Sequence, residues 1–81
     1  MDDQFLKSVL AKLHQVPAND IFAQECREQI IQMARAAKSE RDFYVMVHEY
    51  MMYLADDLQK QLDKLPPHLR QLYEASKRRL Q

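Results

Sequence analysis

His48 and Arg41 are the side chains in this sequence best suited to moving a proton beside an anion. Seven positions apart on a helix, they lie on one face, about 20° from each other. A histidine beside a fixed cation tends to stay neutral and can take or give a proton near neutral pH. The arginine can hold a phosphate or a developing oxyanion. Such a pair is chemically adequate for cleaving RNA if it meets its copy across a dimer interface. The other reactive groups point to less. Cys26 is the only cysteine, and on the apolar stripe of a helix a thiol behaves as a small hydrophobe. His14, His48 and His68 sit on different segments, and His48-Glu49 lacks the second histidine of a zincin helix. Asp56 and Asp57 point in different directions on a helix, as a solvated face does. With no glycine in the chain, phosphate-cradling and dinucleotide-binding loops are excluded. No metal site and no cofactor is expected.

The helix that carries His48 organises the rest. In the run 43–55, Phe43, Val47, Tyr50 and Leu54 form one stripe, continued by Leu58. Tyr44, Met51, Ala55 and Leu62 lie beside it, His48 and Met52 lie further round, and Met46 and Tyr53 flank the other side. Glu49, Asp56, Lys60 and Asp63 leave only a narrow polar wedge. A helix with one core contact needs a narrower apolar arc, so this one must be covered from two directions, by its own chain or another.

The chain has 81 residues, which implies one small domain. Helix formers dominate, and three prolines at two places, with no glycine, leave little for tight hairpins. The expected fold is all-α, a bundle of about four helices at 3–15, 20–38, 40–65 and 67–80, the third central. Phe5, Leu6, Val9, Leu10, Leu13 and Val16 make the apolar face of the first helix. The second should bury Phe22, Cys26, Ile30, Met33 and Ala37, with Ile21 and Ile31 to the sides. Pro17 interrupts the first helix, and Asn19 or Asp20 can cap the second. Ser39 with Asp42 resembles a capping box that breaks the chain at 38–41. The competing reading is one rod from 20 to 65, because apolar positions from Cys26 to Leu65 step by four and three, with Glu40 and Gln61 in the seam. Pro66 ends the third helix and Pro67 opens the fourth, which should bury Leu69, Leu72, Tyr73 and Leu80.

The run from Arg41-Asp42 to Val47-His48-Glu49-Tyr50 resembles the signature of HEPN-domain ribonucleases and their antitoxin-like relatives. In that family an Arg, often followed by a polar residue, precedes a His that in several branches sits in a Val-His-x-Tyr context. Six residues intervene here, Asp42 is the polar follower and Tyr50 matches. The resemblance implies a helical protein with the motif at a homodimer interface, and Arg41 and His48, supported by Tyr50, as its RNA-cleaving residues.

Charge and composition order the functional classes. Twelve basic residues balance twelve acidic ones, unlike a wholesale nucleic-acid binder. Positions 39–65 carry three excess acids and 66–81 three excess cations, so the two segments attract each other when packed. Arg70, Lys77, Arg78 and Arg79 would be the phosphate contacts of a helical nucleic-acid-binding regulator. The lone thiol fits a reducing compartment, the cytoplasm; no run is long enough for a membrane span, and the acidic start lacks the basic flank and apolar run expected of a signal peptide. Met46, Met51 and Met52 with Tyr44, Tyr50 and Tyr53 have the composition of an interface centre. The leading expectation is therefore a non-enzymatic adaptor, chaperone-like cofactor or inhibitor. It would pair with itself as a homodimer or dock on a larger protein through Tyr44, Met46, His48, Met51, Met52, Tyr53 and Ala55. The ribonuclease and the nucleic-acid regulator are the alternatives.

Overall fold

The computed structural model describes residues 2–62 and 65–80, with the side chains of 2–54 and 65–80. Four helices follow one another: α1 (Asp3–Gln15), α2 (Ile21–Ala36), α3 (Glu40–Leu62) and α4 (Pro67–Leu80). The described residues contain no strand.

Each boundary has a local cause. Asp2 accepts from the Gln4 amide at 3.1 Å to start α1, and Asp20 accepts from Ala23 at 2.7 Å to start α2. These carboxylates satisfy amides that the first turn leaves unpaired. Pro17 closes α1 behind an extended Val16, whose carbonyl accepts from the Arg27 guanidinium at 3.1 Å. Ala37 is extended, with ψ 137°, so the long rod does not form and α2 ends two residues earlier than expected. The break is held from both sides: the Asp42 amide donates to Ser39 Oγ at 3.0 Å, and the Lys38 amide donates to Asp42 Oδ2 at 2.9 Å. Asp42 thus reaches back one residue past the cap, to the Lys38 amide, in a variant of the capping box. The Pro66 carbonyl accepts from Leu69 and Arg70 at the start of α4, where Pro67 needs no amide hydrogen.

All four helices contribute to one core. Leu13 of α1, Ile30 of α2, Phe43, Val47 and Met51 of α3 and Leu69 of α4 are each wholly enclosed. Burial of each such side chain is worth about 1.5–3 kcal/mol before entropy is charged against it. Phe5 brings α1 onto α3 with its ring 6.1 Å from both Phe43 and Tyr44. At the other flank Arg79 of α4 meets Glu40 of α3 at 3.0 Å and lies 5.1 Å from the Tyr44 ring centre. At Tyr44 and Met51 the second apolar direction of α3 is therefore covered by its own chain. In α4, Tyr73 and Leu80 are only half-buried, whereas Ser76 is enclosed and donates to the Tyr73 carbonyl at 2.6 Å.

Candidate functional site

Between α2 and α3 the bundle leaves a groove open. Its volume is about 740 Å³, and Ile21, Glu25, Glu28, Tyr50, Tyr53 and Leu54 form most of its lining. Helical spacing explains it. Ile21 is the first residue after the cap Asp20 and lies about 140° around α2 from the enclosed Cys26. It cannot reach the core that Cys26 and Ile30 enter, and 74% of its surface stays exposed. Across the groove, Tyr53 is 72% exposed because α3 turns it away from the arc of Phe43, Val47 and Met51.

Tyr50 forms the floor. Its hydroxyl donates to the Cys26 sulfur at 3.7 Å, joining α3 to α2 below the opening. Burial, with the coupling to Cys26, holds the Tyr50 phenol well above its ordinary range. Burial likewise raises the Cys26 thiol, outweighing the opposite pull of that hydrogen bond. Both groups are neutral at physiological pH, so the floor is apolar and unreactive. Glu25 and Glu28 supply the charge of the walls, and no Lys or Arg is among the described lining residues. Arg27 approaches Glu28 only to 3.9 Å, at a side chain 59% exposed, which neutralises it weakly.

The expected interface set divides in the structure. Tyr44 and Met51 lie inside the chain's own core, at 8% and 0% exposure, which leaves them little or no surface to offer a partner in this fold. Met46 is half-buried against the core. Tyr53 opens onto the α2–α3 groove, whereas Met52 is exposed one turn beyond His48 on the side toward α4. The side chain of Ala55 lies outside the described residues, as do those of Leu58, Leu62, Asp56 and Asp57. Sequence spacing does not single out Ile21, Glu25 and Glu28, and it sets Ile21 at the side of α2's apolar stripe. The available signal was its angular distance from Cys26.

The reactive pair is placed as follows. Arg41 is exposed and His48 half-buried, with its ring 6.1 Å from that of Tyr73 on α4. Along one helix their positions are separated by about 10 Å. Tyr50 is directed to Cys26 and the groove. Of the four C-terminal cations, Arg79 is paired with Glu40, and Lys77 lies 3.5 Å from Glu74 and 4.4 Å over the Tyr73 ring. Arg70 and Arg78 are exposed and form no ion pair among the described residues. No group of three His, Cys, Asp or Glu among the described residues is placed to hold a metal ion, and no described helix is long and apolar enough to cross a membrane. Comparison with protein-family models, curated proteins and solved structures finds no match to this chain.

Proposed function

We propose that this chain is a non-enzymatic protein-interaction module whose α2–α3 groove receives a basic amphipathic helix of a partner protein. The observation that carries the reading is the pairing of Ile21 and Tyr53, 74% and 72% exposed, across one open groove. Large apolar residues left bare on facing helices lose solvent contact when a third helix lies between them. Each such side chain can then contribute about 1.5–3 kcal/mol. The flanking Glu25 and Glu28 favour cations on that helix and disfavour an acidic one. Tyr50, Tyr53 and Leu54 offer rigid or branched anchors with modest ordering cost. A reducing compartment, the cytoplasm, fits the unpaired thiol of Cys26.

The test is fluorescence anisotropy with two labelled helical peptides of equal hydrophobicity, one Leu/Lys and one Leu/Glu. The cationic peptide should bind saturably and the anionic one should not. Tyr53→Asp and Glu25→Lys should each weaken binding at least about tenfold, roughly the 1.4 kcal/mol of one lost contact. Equal binding of the two peptides, or indifference to both substitutions, would reject the reading. If light scattering over a dilution series shows a dimer that Tyr53→Asp splits, the occupant is a second copy of the chain.

A further inference from the structure

The side of α3 away from the groove carries a different chemistry. The His48–Tyr73 ring pair and the Glu40–Arg79 ion pair, at 6.1 and 3.0 Å, fix α3 and α4 in antiparallel register. Lys77, one turn after Tyr73, is therefore level with the stretch of α3 that follows Arg41. Arg70, almost one turn before Tyr73, is level with the stretch of α3 that precedes Met52. The register assembles a stripe that neither helix shows alone, with cations at both ends and a half-exposed aromatic pair in the middle. Arg41 to Met52 spans about 16 Å of helix.

We propose that this α3–α4 stripe binds single-stranded nucleic acid, with a base stacked at Tyr73 and His48 and phosphates held by Arg41, Arg70 and Lys77. A strand whose bases are unstacked offers both a flat ring and a line of negative charge, and a cationic groove with aromatic platforms is the chemistry that captures it. Lys77 covers the Tyr73 ring in the unbound chain, 4.4 Å from its centre. That contact, at an exposed site, is worth about 0.5–1 kcal/mol, less than the ~1–3 kcal/mol of a stacked base. A base can therefore displace the ammonium, which gains a phosphate in exchange for its 3.5 Å contact to Glu74. Glu74 opposes Lys77 at 3.5 Å, and on α3 Asp42 and Glu49 follow Arg41 and His48 in sequence. The stripe lies across α3 from the groove, so it stands or falls separately from the peptide-binding reading.

The experiment is anisotropy of labelled oligo-thymidylate and oligo-uridylate against the full chain, from about 20 to about 200 mM KCl. Three phosphate contacts on a single strand give a log–log salt slope of about −2. Arg70→Glu and Arg41→Glu should each weaken binding at least tenfold, and Tyr73→Leu, which keeps bulk against the core, by about tenfold with unchanged helicity. Glu74→Gln should strengthen it. Preference for the uridylate strand would assign RNA, and equal affinity would assign strands regardless of sugar, both in support. The proposal is overturned by absence of binding at the lowest salt, or by duplex binding as tight as single strand. It is also overturned if Arg35→Glu, on α2, costs as much as Arg70→Glu, or if polyglutamate competes on equal terms, which would make the ligand an acidic protein.

Discussion

The Tyr50 hydroxyl and the Cys26 sulfur meet at 3.7 Å beneath the groove, a contact between two neutral acids that burial keeps protonated. Both hold their protons more tightly folded than unfolded, above the ordinary 9.0 of the thiol and 10.0 of the phenol. Their contribution to stability is therefore complete below about pH 9 and is lost as pH rises from there, because the unfolded chain releases protons that the folded chain retains. The urea midpoint should be flat from about pH 7 to about pH 8.5 and fall by about pH 10. Tyr50→Phe should make that fall shallower. Iodoacetamide should modify Cys26 far more slowly in the folded chain than in urea.

His68 gives the opposite dependence. Burial, assisted by Lys12, holds its imidazole below the ordinary 6.5. The unfolded chain accepts a proton near pH 6.5 that the folded chain resists, so this contribution is present above about pH 6.5 and diminishes as pH falls. An NMR titration should place the His68 midpoint below those of free histidine peptides, and Lys12→Gln should move it upward. His68→Gln should flatten the acid limb of the stability curve.

Arg79 ties the last turn of α4 to the first turn of α3, at 3.0 Å from Glu40 and over the Tyr44 ring. The pair is 58% and 40% exposed, so solvent screens it, and ion pair and ring contact together contribute about 1 kcal/mol. Arg79→Ala should lower stability by about that amount in urea titration, and added salt should shrink the difference. Arg79→Lys should recover part of it.

Core and groove substitutions should separate cleanly. Phe43 is enclosed among Phe5 and Tyr44, so Phe43→Ala should cost about 3–5 kcal/mol. That is comparable to the whole stability of so small a domain, and circular dichroism should show a largely unfolded chain. Tyr53→Asp, at a residue 72% exposed, should change stability by no more than about 0.5 kcal/mol.

The helices were legible because their signals are local. Apolar spacing, Asp20 and the Pro17 and Pro66-Pro67 interruptions each act within a few residues, and the Ser39–Asp42 pair closes the break at 38–41 as its spacing suggested. The breadth of α3's apolar arc showed that it needs cover from two directions, but did not say whose side chains would supply it. The packing of α1 places Phe5 against Tyr44, and the register of α4 decides that Arg79 covers Tyr44 and that Tyr73 meets His48. Met52 and Tyr53 are adjacent in sequence yet open onto different faces, because consecutive helical positions are about 100° apart. Composition groups them together, and the structure distributes them between two faces of α3. The groove itself depends on Ile21 of a different helix, a pairing across space that no spacing within α3 encodes.

The most direct measurement of the groove's role is a methyl NMR titration of the Ile-, Leu- and Met-labelled chain with the Leu/Lys peptide. Saturable shifts of Ile21 and Leu54, with Met51 and Met52 little changed, are the expected result. No shifts at saturating peptide, or shifts centred on Met52 with Ile21 unmoved, would contradict the assignment of partner binding to the α2–α3 groove.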